Sequence, residues 1–294
     1  MNILVTGGTG FVGRNLTAAL HEKDHHCYVL TRFPENYSIS DRTTFISYDY
    51  PVEKLPLIHG VINLAGESLF GYWTDKKKES IINSRLKITQ KVIDIISKLD
   101  KKPEVFISGS AVGFYGMSDE QIFTEATTQP GDDFLAEVAT EWEQAAQQVE
   151  EMGIRTVYAR FGVILGEKGA LQYMSLPVKM FVGGKIGDGE QWITWVHIED
   201  VVGILQFCLF NNIEGPVNVT APNPRRNKDF TKLLSDVLKR PYWFPTPSPF
   251  IRLTLGEMSQ LITKGQYVLP KKAQNKGYQF SYPYLRDALR DIKT

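Results

Sequence analysis

Cysteine is nearly absent from this chain: 294 residues carry two, Cys27 and Cys208, each inside an apolar stretch. Two separated thiols make no disulfide framework. They read as buried thiols in a reducing compartment, and a cytoplasmic location is expected. An excess of charge is missing too, since lysine plus arginine number 33 and aspartate plus glutamate 33. That balance removes the basic footprint of a nucleic-acid binder. No apolar run approaches the ~18 to 20 residues of a membrane span. The longest, Val201 to Phe210, holds Gln206 and reads as a core helix, so no membrane partner is expected. Gly7 breaks the opening apolar run and no basic leader precedes it, so a signal peptide is not expected. Histidine and cysteine never gather at zinc spacing, His25 and His26 lying in a polar stretch, and no metal site is expected.

What is present begins at once. Ile3, Leu4 and Val5 form an apolar strand that runs into Gly7, Gly10 and Gly13, with a helical pattern following directly. A glycine run alone is a weak signal, but between a buried strand and a helix it has a physical use. Glycine allows a tight turn and lets a pyrophosphate approach the backbone, while the helix start at Phe11 and Val12 offers unpaired N–H groups and a positive dipole end. Gly13 is the close-packing position against the strand.

Strand and helix patterns then alternate. Cys27 to Leu30 completes a βαβ unit, Val61 to Ala65 stops at Gly66, and Val105 to Ser108 stops in small residues. Helical spacing recurs through Ile88, Val92, Ile95, Ile96 and Leu99, and again from Leu135 through Val138, Trp142, Ala145 and Val149 to Met152. Thr156 to Arg160 and Pro216 to Val219 are further strands. Between the last two, the glycine-rich segment 162–189 reads as a substrate-side excursion. Glu199 or Asp200 is placed to favour the start of the Val201 helix. The expected fold is α/β, a Rossmann-type doubly wound parallel sheet spanning residues 1–220, with 163–195 contributing to the substrate side. Prolines punctuate the chain beyond Ala221, and residues 221–294 are expected to form a small C-terminal substrate lobe.

The second strand ends in Thr31-Arg32. An acidic residue at this place accepts bonds from the ribose hydroxyls of NAD, whereas an arginine fork matches a 2′-phosphate and stacks on adenine. NADP (NADPH) is therefore the expected cofactor, with Thr31 and Arg32 among its contacts. Asn63-Leu64-Ala65-Gly66 is the next strand exit, where small Ala65 and Gly66 let the cofactor come near.

The motifs GGTGFVG (7–13), NLAG (63–66), SGSAVGFYG (108–116) and WVHIEDV (195–201) resemble those of extended short-chain dehydrogenases/reductases, the branch that includes sugar-nucleotide epimerases and dehydratases. WTDKKKESIINSR (73–85), GDDFLAEVATEWE (131–143) and GQYVLP (265–270) narrow the resemblance to an epimerase-like subfamily with a C-terminal domain of unknown function. The resemblance implies cofactor contacts at Arg85, Ser108 and Ile164, beside Leu64, Ala65 and Gly66. Arg85 otherwise reads as an exposed salt bridge. It also implies a Tyr-x-x-x-Lys pair for proton transfer, yet Phe134 and Val138 stand at those positions. Neither can move a proton. Ser110, as a substrate-polarising donor, and Tyr115, as an acid/base phenol, are the replacements available near the same strand, although counting back from Tyr115-Gly116 puts Ala111 in the serine's place. His197 reads as a buried, hydrogen-bonded residue rather than a catalytic one. The function expected is an NADP-dependent oxidoreductase or epimerase acting on a small polar substrate, a carbonyl compound or sugar nucleotide. The alternative is an NADP(H)-binding sensor without turnover. Dimerisation through a helix pair is expected on the resemblance alone.

Overall fold

The structure, a computed structural model, describes residues 1–38 and 40–292. In chain order the strands are β1 (Asn2–Thr6), β2 (His26–Leu30), β3 (Thr43–Ile46), β4 (Gly60–Asn63) and β5 (Val105–Ala111). There follow β6 (Ile122–Phe123), β7 (Arg155–Phe161), β8 (Val163–Leu165), β9 (Trp192–Ile193), β10 (Trp195–His197), β11 (Gly215–Val219), β12 (Arg225–Arg226) and β13 (Tyr267–Val268). The α-helices are α1 (Phe11–His21), α2 (Asp75–Lys98), α3 (Phe134–Gln147), α4 (Ala170–Lys179), α5 (Ile198–Phe210), α6 (Asn227–Leu238), α7 (Ser248–Leu255), α8 (Gln260–Thr263), α9 (Lys271–Asn275) and α10 (Leu285–Asp291).

Seven strands pair in the order β11-β7-β5-β4-β1-β2-β3, all parallel. The sheet reverses direction of growth between β1 and β4, so the crevice at their C-terminal ends is the ligand position of such a fold. Side chains alternate across each strand. Ile3, Val5, Val29, Ile107 and Val157 pack under α1 and α5 with Leu16, Leu20 and Leu205. Leu4, Leu30, Val61, Phe106 and Tyr158 pack under α2 and α3 with Val92, Ile96 and Ala146. Burying Leu16 and Leu20 contributes roughly 1.5–3 kcal/mol each.

Several elements differ from the sequence reading. Thr43–Ile46, polar at two of its four positions, is the edge strand β3, a role its composition does not announce. Helix α3 stops at Gln147; Val149 is buried beyond it, and a 3-10 turn over Glu150–Met152 ends on Gly153 in the left-handed region (φ 74°). The segment 162–189 contains β8 and α4. Its residues Leu165, Leu171 and Val178 join Trp195, Phe230, Leu234, Leu285 and Leu289 in a third core, so α6 and α10 pack on that segment. Glu199 and Asp200 do stand in the first turn of α5, and the cap added to them is the His197 side chain, which accepts from Glu199 N at 3.3 Å.

The C-terminal residues also return to the sheet domain. β13 pairs with β6, and the buried Asp200 carboxylate accepts bonds from the Tyr278 hydroxyl and from Ser281 and Tyr282 N–H. Among the described residues no helix is long and apolar enough to cross a membrane.

Cys27 and Cys208 lie in the α1/α5 core at 0% and 1% exposure. Burial pushes both thiols up to about 12. The native protein should leave both unmodified by a disulfide reagent at pH 8, with two equivalents appearing on urea unfolding. Unfolded thiols ionise from about pH 8.5, while the folded ones hold their protons to about 12. Their contribution to stability therefore declines as pH rises through that interval.

Candidate functional site

The crevice is set by one hydroxyl at the end of β1. Thr6 Oγ1 donates to Asn63 Oδ1 at 2.7 Å and accepts Leu64 N and Ala65 N, both at 3.1 Å. Asn63 Nδ2 in turn donates to Thr89 Oγ1 of α2 at 2.9 Å. The exits of β1 and β4 are thereby fastened together. Gly7 (φ +68°) sits so close to the β4 exit that a Cβ would lie 2.9 Å from Ala65 N and Leu64 C. A Cβ on Gly13 would meet Gly7 O at 2.2 Å, and one on Gly8 would meet Val29 of β2 at 2.7 Å. These are positions only glycine can occupy. Helix α1 opens on Gly10 with no side-chain cap and no acidic residue in its first turn. Its leading N–H groups, at Phe11 and Val12, thus point to an anion.

Two arginines flank this turn. Arg32, just past β2, is exposed beside the Phe33 ring at 6.0 Å, while Thr31 Oγ1 receives the Phe33 N–H at 3.4 Å. Arg85 corrects the exposed salt-bridge reading. It occupies the inward stripe of α2 between Ile81 and Thr89 and is 9% exposed. Its Nη1 donates to Ile81 O at 2.8 Å, its guanidinium lies 5.0 Å from the Trp142 ring, and a Cβ on Gly66 would touch it at 3.1 Å. The Nε is buried without a partner. Burial pulls the Arg85 pKa down to about 10, with nearby Glu67 acting the other way. An under-satisfied cation beneath the Gly66 backbone is suited to an anionic ligand. Glu67 is itself engaged by Lys77 and Ser80, whose hydrogen bonds hold its carboxyl below the ordinary range.

The hydroxyls expected to handle protons are committed elsewhere. Ser110 Oγ, 2% exposed, donates to Glu143 Oε1 at 2.6 Å, and Arg160 grips the same carboxylate through Nε (2.7 Å) and Nη2 (2.8 Å). Its single proton is spent on a carboxylate, so toward any substrate Ser110 is an acceptor, not the polarising donor expected. Tyr115, 4% exposed, donates to Asn218 Oδ1 at 2.7 Å and stacks on Phe123. Burial raises its pKa, which opposes acid/base work near neutrality. Ser108 is fully buried, its hydroxyl 3.3 Å from the Gly109 carbonyl. Ile164, in β8 beside Val196, packs partly buried on the sheet core.

Phe134 and Val138 face an apolar group made by Leu69, Trp73, Ile81, Leu135, Met258 and Leu261. His197 is 1% exposed against Tyr282, ring centroids 3.9 Å apart. It fixes the start of α5. Thr6, Gly8 and Thr89 were not singled out from the sequence as site residues, and Asn63 was read only as part of the strand exit at 63–66. For Thr6 the available signal was a polar residue ending an apolar strand, immediately before the chain turns.

A parallel sheet with its switch-point crevice lined by a glycine turn, an uncapped helix and a buried arginine defines a Rossmann-type nucleotide-binding protein. More narrowly, the chain belongs to the NAD dependent epimerase/dehydratase family, whose profile matches residues 3–220, and residues 246–292 match a domain of unknown function (DUF1731). It is 47% identical over 297 residues to the epimerase family protein YfhF of Bacillus subtilis, covering 99% of this chain and 98% of that one. The crystal structure of human epimerase family protein SDR39U1 (isoform 2) with NADPH superposes with TM-score 0.90 at 32% identity, covering 99% of each chain. A nucleoside-diphosphate sugar epimerase from Corynebacterium glutamicum gives TM-score 0.79 at 30% identity, covering 98% of this chain and 57% of that one.

Thr6→Val removes the clamp while keeping the side-chain volume. Buried Asn63 Oδ1 loses its donor and Ala65 N its acceptor, while Leu64 N keeps the Thr6 carbonyl at 3.3 Å, a cost of about 1–3 kcal/mol. Urea unfolding should show that loss, and dinucleotide affinity should fall with it.

Proposed function

We propose that the protein is an NADPH-dependent oxidoreductase acting on a small carbonyl substrate at the β1/β4 crevice. The observation that carries this reading is the pairing of two cations with one glycine turn: exposed Arg32 at the end of β2, and buried Arg85 with an unpartnered Nε under Gly66. The relative crystallised with NADPH supports the same choice. In this reading the N–H groups over Gly10 to Gly13 receive the pyrophosphate. Arg32 and Thr31 receive the 2′-phosphate, Leu64 to Gly66 underlie the adenosine ribose, and Arg85 holds a phosphate oxygen. Ser108 and Ile164 border the nicotinamide end through their backbone.

The bound cofactor would supply hydride transfer, and the chain would position it. Ser110, held by Glu143 and Arg160, offers lone pairs that orient a donor on the ligand. With the Tyr115 hydroxyl bonded to Asn218 and apolar Phe134 and Val138 on α3, the proton of the reduction comes from water. The same commitment of hydroxyls favours a second reading, an NADP(H)-responsive protein without turnover. We place either activity in the reducing environment of the cytoplasm, where Cys27 and Cys208 stay thiols.

Titrating NADPH fluorescence with the full chain and then following 340 nm absorbance over a panel of carbonyl compounds and sugar nucleotides separates the readings. Turnover of a carbonyl supports the first, and binding without any turnover supports the second. If neither dinucleotide binds, both fail. Arg32→Ala should weaken NADPH by about 1–3 kcal/mol and leave NADH almost unchanged; equal loss for both would refute the 2′-phosphate role.

A further inference from the structure

Two loops border the glycine turn from opposite sides, and an aromatic contact joins them. Gly166 and Gly169 pack on Phe11 at the start of α1, where added Cβ atoms would come within 2.5 and 3.4 Å of its ring. Tyr173 lies one turn further along, on α4. On the other side, Gly66 covers Arg85, and Phe70 follows four residues later. The Phe70 and Tyr173 rings meet at 4.8 Å, yet remain 43% and 59% exposed.

Each element that forms this contact exposes apolar side chains beside it, although α4 also exposes Gln172 and Lys179 and Arg240 lies 4.5 Å from the Phe181 ring. α4 buries Leu171, Ser175 and Val178 on one face, while on the other Tyr173, Leu176 and Met180 stay more than half exposed. A water-facing helix surface is ordinarily polar. Phe181 continues the strip, held at φ 63°, an unusual conformation for a bulky residue. Beneath the 66–73 loop, Trp73 and Leu69 join Phe134 and Val138, with Met258 and Leu261 of the C-terminal lobe closing the group. That loop is fixed by Tyr72 donating to Thr254 O at 2.6 Å and by Gly71 N at 3.0 Å from Met258 Sδ. The charges beside it are paired: Glu67 with Lys77, and Lys78 with Glu257. A sugar diphosphate needs polar and cationic contacts along its length, whereas aromatic and aliphatic walls remove apolar ligand surface from water.

We infer that the substrate is an apolar ketone or aldehyde, aryl or long-chain alkyl, received against the outer faces of the joined Phe70 and Tyr173 rings and along the exposed side of α4. This rests on the oxidoreductase reading above and departs from the polar substrate expected from the sequence. In the reaction, hydride passes from reduced nicotinamide C4 to the carbonyl carbon as the C=O π bond opens. The oxygen takes a proton from water, giving an alcohol, NADP⁺ and hydroxide.

The test uses the full chain saturated with NADP⁺, so that no reduction intervenes, and titrates 2-acetylnaphthalene, 2-decanone and UDP-glucose by calorimetry. NADPH oxidation at 340 nm is followed separately with the same three compounds. At least one ketone should bind and be reduced, with UDP-glucose neither binding nor competing. Phe70→Ala and Tyr173→Ala should each weaken ketone binding about 5- to 30-fold, the effect of deleting one aromatic anchor, with NADPH affinity unchanged. Leu176→Ser, elsewhere on the strip, gives a third readout should either aromatic variant unfold. Tight binding of UDP-glucose, failure of both ketones to bind, or ketone affinity indifferent to all three substitutions overturns the inference. Ketone binding that responds to the variants but is followed by no NADPH oxidation upholds the apolar site and overturns the oxidoreductase reading instead.

Discussion

The Thr6 hydroxyl is the point through which the crevice is held in register. A threonine oxygen can donate once and accept twice, and here all three capacities are used, on Asn63 Oδ1, Leu64 N and Ala65 N. The ladder pairs β1 and β4 as far as Thr6 and Asn63, with Leu64 N on the Thr6 carbonyl, and the hydroxyl carries the connection one residue further, to Ala65. Joined this way, they bring the backbone of Gly7 against that of Ala65, and the turn that follows has one course open to it. The orientation of α1, the closeness of β2 through Gly8 and Val29, and the position of Gly66 over Arg85 all follow from that fixed spacing. The link to Thr89 extends the constraint into α2, the same helix that carries Arg85 one turn earlier.

Features whose partners are near in sequence were legible in the sequence. The strand, glycine turn and helix of residues 2–21 announce themselves because their constraints are local: an apolar period, a backbone that must bend, and a helix start left uncapped. The place of Arg32 just past the end of β2 was legible for the same reason, because the apolar run that makes the strand is local. The roles of Ser110 and Tyr115 were not, because their partners, Glu143 and Asn218, lie 33 and 103 residues away. Chemistry of that kind depends on which hydroxyl finds which acceptor, and composition carries no record of the pairing. Strand β3 was missed because an edge strand needs little apolar content, and Arg85 was left open between a cofactor contact and an exposed salt bridge because charge on a helix is ordinarily solvated.

The fate of α3 shows how one helix can keep its place and lose its chemistry. Glu143 anchors it to β5 and β7 through Ser110 and Arg160, while its first turns, with Phe134 and Val138, have joined an apolar wall completed by Met258 and Leu261. Removing one member of a buried ion pair typically costs about 3–5 kcal/mol, so the far half of the helix is hard to change. The near half is held by apolar packing, with Val138, Phe134 and Leu135 set against Trp73 and Ile81.

The pairing of β13 with β6, and the grip of Asp200 on residues 278–282, have a consequence for biosynthesis. Protein chains leave the ribosome N-terminal end first. The β1–β4 clamp can form while the second half of the chain is still being made, but the wall behind Trp73 cannot, since Met258 and Leu261 emerge near the end. A nascent chain therefore holds its nucleotide cradle for some seconds with the adjoining apolar surface uncovered. Until then that face is open to self-association or to a chaperone.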